Sequence, residues 1–186
     1  MEDEGEPPAA RFGTPARARS DFDDFFTAQA PGILALLVSL TGDRGQAEDL
    51  TQEVFVKAYR DWARIGGYDK PGAWARRVAI NAATSAGRRR GSEGRALRRV
   101  WSRGQLDVAP DVADLAHDSA GFWAVVRALP RQQAAAIALH YLDDASVADV
   151  AIALGCAEAT AKVHLHRGRV ALARLLEADL AGEEAR

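Results

Sequence analysis

What most constrains this chain is the helical period of two segments far apart in sequence, Ala47–Trp62 and Ser146–Arg174. In the first, Leu50, Val54 and Ala58 recur at the spacing that puts them on one face of a helix. In the second, Gly155 divides a short helical pattern, Ser146–Leu154, from a longer one, Glu158–Leu175, which together read as helix-turn-helix. Alternating runs of Val, Ile, Thr and Tyr are scarce, so the expected fold class is all-α. A length of 186 residues suits one medium domain or two small ones. Ser92–Ser119 has Gly94, Gly104, Pro110 and little period beyond a turn at Ala96–Trp101. A connection that long argues for two small helical domains on a flexible linker. The expected division is a disordered tail at 1–20, a first domain at 21–91, the linker at 92–119, a second domain at 120–180 and a tail at 181–186.

Within the first domain, Phe22, Phe25 and Phe26 are followed, after Pro31-Gly32, by Ile33, Leu36, Leu37 and Leu40. Asp43, with Gln46 three residues on, reads as a capping box. In the second, Pro130 stops one helix and opens the next, and Ser146 with Asp149 starts another.

The net charge is −2, which excludes a globally basic nucleic-acid binder. The basic residues are segregated instead, in Arg76–Arg103 and Lys162–Arg174, and local patches are the footprint that matters for DNA. The lone Cys156 excludes an internal disulfide framework and suits a reducing cytoplasm. No apolar run is expected to reach the ~20 residues of a membrane span. The first residues lack the basic-then-apolar pattern of a signal peptide.

Three constellations carry chemistry. On Ala47–Trp62, Glu48/Gln52 and Asp49/Glu53 lie at i,i+4 on the side away from the apolar stripe. Like charges at that spacing are relieved by a cationic partner, although a solvated acidic face gives the same pattern. On Pro71–Arg90, Trp74 and Val78 share one face and Arg77, Asn81, Ser85 and Arg88 another. Arginines suit phosphates, Asn suits base edges, and an aromatic can stack on an unpaired base. The alternative is an amphipathic helix with a buried Trp. On Glu158–Leu175, Ala161, Leu165 and Leu172 are expected to pack inward. Thr160, His164 and Arg167 should then face the major groove, with Lys162 beside them. His164 and His166 lie two apart and point to different faces, which disfavours zinc. Cys156 reads as turn packing.

In this order, the constellations resemble the two conserved regions of an extracytoplasmic-function sigma factor of the sigma-70 family. AEDLTQEVF matches the AEDLxQExF helix that this family presents to the β′ clamp helices of RNA polymerase, so the resemblance implies polymerase contacts from Asp49, Gln52, Glu53 and Phe55. Pro71–Arg90 is similar to the helix that recognises and helps melt the −10 element. It implies DNA contacts from Trp74, Arg76, Arg77, Asn81, Ser85, Arg88 and Arg89. Ser85 stands where the family often has Asp. TAKVHLHRGR is similar to the family's TVKSRLHRAR, which reads the −35 element, and implies contacts from Glu158, Thr160, Lys162, His164 and Arg167. His164 replaces a common Arg, and Ala157 a common Ser cap. The implied partners are core polymerase, through the β′ clamp helices and the β flap, promoter DNA and an anti-sigma factor. No cofactor, metal or catalytic residue is implied, and no membrane insertion.

A stand-alone helix-turn-helix regulator is the main rival. A response regulator of that kind needs an α/β receiver, whereas this N-terminal half reads helical. A helical adaptor would not need two basic helices, and no enzyme motif is present.

Overall fold

The computed structural model describes the backbone of residues 15–97 and 120–184, and side chains within 21–88 and 121–177. Trp101, most of the expected linker and residues 1–14 lie outside the described residues. Among the described residues all regular structure is helical: α1 Pro15–Thr41, α2 Arg44–Arg60, α3 Trp62–Ile65, α4 Pro71–Leu97, α5 Ala120–Ala128, α6 Arg131–Leu142, α7 Val147–Leu154 and α8 Glu158–Glu184. Several expected boundaries move outward. Helix α1 already begins inside the expected N-terminal tail, α4 runs past residue 91 into the expected linker, and α8 continues into the expected C-terminal tail.

Helix α1 passes through Pro31 without a break, because proline removes one hydrogen bond while the flanking apolar residues keep their core contacts. Phe25 and Phe26 stack edge-on or tilted against Phe55 and Trp62, at ring-centroid distances of 4.8–5.9 Å. Between Asp21 and Thr41 the helix is long and apolar enough, at a mean hydropathy of 1.3, to cross a membrane by length and composition, contrary to the expectation of no such segment. Its Ile33, Leu36 and Leu37 are fully buried among the other helices. Gly42 takes a left-handed φ of 69° at the exit from α1, and Asp43 Oδ1 accepts from the Gln46 N–H at 3.0 Å to cap α2.

The helix-turn-helix has both ends defined. Ser146 Oγ accepts from the Asp149 N–H at 3.2 Å. At the other end Gly155, at φ 70°, lets its own N–H reach the Ile152 carbonyl and the Cys156 N–H reach that of Ala151. This is a Schellman closure, which needs the left-handed residue. Gly155→Ala is therefore expected to lose about 1–2 kcal/mol, since a Cβ in that conformation is strained and would also lie 3.2 Å from Arg77. A thermal melt by circular dichroism checks this.

The two halves do not hang apart. Ile33, Leu36, Val54 and Ala79 share one core with Ala135, Leu139, Val150 and Leu165. Helix α1 packs on α5 and α6, and α4 packs on α7. A smaller core joins α5, α6 and α8 through Val126, Leu129, Ile137 and Leu172.

Candidate polymerase and nucleic-acid interfaces

Helix α2 turns Ala47, Leu50, Val54 and Ala58 inward. That fixes the opposite face, where Asp49, Gln52, Glu53 and Val56 are exposed together. Glu48 is tied to Arg44 at 2.9 Å, while the nearest cation to Glu53 is Lys57 at 3.9 Å. The outcome is an anionic rim around an exposed valine. Phe55 is not part of it. At 4% exposure it is buried against Phe25 and Phe26, so it supports the helix from beneath and offers no surface to a partner. Its α-helical position, one residue after buried Val54, leaves it on the core side. Val56 takes the outward place.

Helix α4 begins at Pro71, whose missing N–H is no loss in a first turn. Asn81 and Arg88 are exposed, and Arg88 Nη2 donates to Ser85 Oγ at 3.2 Å, leaving Ser85 half-buried. Arg89 is helical, and its side chain lies outside the described residues. Trp74 is half-buried against the shared core. It also lines an open cleft of about 340 Å³ with Tyr68, Asp69, Lys70, Arg77 and Ile152. The sequence reading expects Arg76 and Arg77 to face DNA, whereas in the structure Arg76 is half-buried and paired and Arg77, though exposed, is hydrogen-bonded to α7. Arg76 Nε donates to Asp143 Oδ2 at 2.6 Å and its Nη1 to Gln29 Oε1 at 2.8 Å. Arg77 Nε donates to the Ile152 carbonyl at 3.1 Å. Lys70 Nζ donates to Asp149 Oδ1 at 2.6 Å. The hydrogen bonds from Lys70 and Ser146 hold the Asp149 carboxyl below its ordinary pKa.

Helix α8 buries Ala161, Leu165 and Leu172, as their spacing predicts, together with Gly168. A Cβ on Gly168 would meet Ile137 at 2.9 Å, so the glycine lets α8 lie close on α6. Glu158, Thr160, Lys162 and Arg167 are exposed. His164 is half-buried at the edge of the face, whereas His166, Arg169 and Arg174 are fully outward. Val163 and Val170 sit at the middle of the exposed side, at 44% and 39%. The inward positions already imply this centre at 100° per residue. The family motif drew attention to His164 instead.

Residues 25–93 match the family model described as sigma-70 region 2, and residues 121–172 match that described as sigma-70 region 4. The RNA polymerase sigma-E factor of Streptomyces avermitilis is 30% identical over 158 residues, 84% of this chain and 84% of its own length. The chain belongs to the extracytoplasmic-function group of the sigma-70 family. The ECF RNA polymerase sigma factor SigE of Mycolicibacterium smegmatis is also 30% identical, over 82% of this chain, which spans only 60% of that relative. Among solved structures, the sigma factor RpoE in complex with the anti-sigma factor NepR, from Bartonella quintana, aligns at a TM-score of 0.65 and 28% identity. That alignment covers 86% of this chain and 99% of the other. CnrH, in complex with the cytosolic domain of CnrY, shares the fold at a TM-score of 0.61 and 21% identity, over 88% of this chain and 95% of its own. In this sigma factor α2 and most of α4 therefore lie within region 2, and α7 with the first half of α8 lies within region 4.

Proposed function

We propose that this sigma factor binds core RNA polymerase through the outward face of α2, brings it to promoters and aids their opening. It works in the cytoplasm and performs no catalysis. The observation that carries this is the separation of an anionic face on α2 from basic residues on α4 and α8 within one chain. An acidic face repels DNA and suits a cationic protein partner, while the basic faces suit phosphate. Asp49, Gln52 and Glu53 around Val56 make the polymerase contact. Asn81, Ser85, Arg88, Arg89 and the exposed Arg77, with Arg76 and Trp74 once accessible, read the −10 element. Thr160, Lys162, Arg167 and Glu158, with His164 at the edge and His166 beside them, read the −35 duplex. The polymerase contacts are the β′ clamp helices and the β flap, and an anti-sigma factor restrains the free chain.

Two weak DNA sites gain affinity only when a scaffold fixes their spacing. The holoenzyme should thus bind promoter duplex tightly and the isolated chain weakly. Within the holoenzyme, Lys162→Ala or Arg167→Ala is expected to weaken binding to all sequences. Each should flatten the plot of log affinity against log salt by about one unit, one lost phosphate contact. Fluorescence anisotropy over a salt series measures it. An unchanged slope for both removes α8 from the DNA interface. Tight, sequence-specific binding by the isolated chain would favour a stand-alone regulator.

A further inference from the structure

Helix α8 carries an apolar ridge along its outermost line. With Ala161, Leu165, Gly168 and Leu172 buried, a turn of ~100° per residue sets Ala159, Val163 and Val170 opposite the core. All three are exposed. Val163 keeps 44% of its surface in water. A solvated helix face gains nothing from such a residue, because valine is a poorer helix former than alanine, glutamate or lysine.

Polar groups divide on either side of this ridge. At the same angular step Lys162 and Arg169 fall on one flank, and Thr160 and Arg167 on the other. All four are exposed. Among the described residues none of the three cations forms an ion pair. A helix lying in the major groove turns its central line to the base edges and its flanks to the two phosphate strands. Residues near its N-terminus reach deepest. That selects Val163, with Ala159 one turn before it, over Val170, which lies ~10 Å further along the axis. A valine side chain has no donor or acceptor, so it cannot match a hydrogen-bonding pattern. The apolar group on the major-groove edge is the C5-methyl of thymine.

We infer that Val163 is a specificity-determining residue, seated on the C5-methyl of one thymine in the −35 element. The inference rests on the reading of α8 as the −35 helix and adds the base chemistry that the helix selects. Contact between the two groups removes apolar surface of both from water. Cytosine in that place would hold its amino donor under a side chain that cannot accept from it, and would lose a hydrogen bond to water. Lys162 and Arg167 supply affinity for any sequence, and Val163 supplies the choice at one base pair.

The test uses the holoenzyme and a fluorescein-labelled duplex carrying the −35 element shared by promoters recovered in run-off transcription. Each thymine of the element, on either strand, is replaced in turn by deoxyuridine, which keeps every hydrogen-bonding group and lacks only the methyl. One position should lose about fourfold in affinity, the contribution of one buried methyl group. Val163→Ala, two carbons shorter, should abolish that penalty at the same position. Its exposed site predicts an unchanged melt by circular dichroism. Lys162→Ala should weaken binding to every duplex and keep the fourfold ratio. The coupling between base and side chain separates the contact from any effect of the methyl on the duplex itself. Thymines that all tolerate deoxyuridine overturn the inference, as does an element without thymine, or a penalty that survives Val163→Ala undiminished. Failure of the promoter reading has a different signature: every base-pair substitution across the element then leaves affinity unchanged, and both readings fall together.

Discussion

Reversing the charge at Asp49 and Glu53 together, by Asp49→Lys and Glu53→Lys, is expected to abolish binding to core polymerase and leave the fold intact. Both carboxylates are exposed on the side of α2 opposite its buried stripe. Substitutions at such sites move stability by about half a kcal/mol. A new lysine at 53 would face Lys57 at i,i+4, which adds only a few tenths of a kcal/mol of repulsion. Against a cationic surface the change is far larger. Two attractive pairs become repulsive, and like charges across an interface cost several kcal/mol. A pull-down with core polymerase and a circular dichroism melt read the two effects separately. Polymerase retained by a folded double variant would remove α2 from the interface. Phe55→Ala is predicted to fail differently. It opens a void beside Phe25 and Phe26 and should cost roughly 3–5 kcal/mol, so the melt falls along with any loss of polymerase.

Asn81→Ala should slow promoter opening and leave −35 binding in place. Asn81 is exposed on α4, so its replacement costs little packing. Loss of one base contact costs roughly 1–3 kcal/mol, which corresponds to about fivefold to over a hundredfold in rate or affinity. Permanganate reactivity of the melted thymines, followed over time in the reconstituted holoenzyme, measures opening. Anisotropy on a duplex carrying only the −35 element measures the other half. Opening at the wild-type rate by a folded variant would remove Asn81 from −10 recognition. Trp74 is the weaker probe, because its ring packs on the core that both halves share. Replacing it mixes a lost stack with lost stability.

Local chemistry made much of this legible. The inward residues of α2 and α8 follow from helical spacing, and the cap at Asp43 and the turn at Gly155 follow from residue type. These depend on neighbours three or four positions away. Phe55 was misplaced because the family motif does not separate residues that touch the partner from those that brace the helix. Its burial is decided by Phe25 and Phe26, brought in from α1. The shared core and the Arg76–Asp143 pair were hidden for the same reason. Their partners lie on opposite sides of the segment whose composition argued for separation, and a charge pair between distant helices leaves no periodic trace. Arg76 and Arg77 look alike in sequence. Only the packing of α4 on α7 gives the first a carboxylate and the second a helix-end carbonyl.

Run-off transcription tests the central claim most directly. Purified core polymerase, with and without this chain, is given a library of genomic fragments. New transcripts should appear only when the chain is present. Their start sites should lie downstream of a shared pair of elements, and the Asp49→Lys, Glu53→Lys variant should produce none. A transcript set that is the same with and without the chain, from polymerase shown to be active with another sigma factor, would contradict the account.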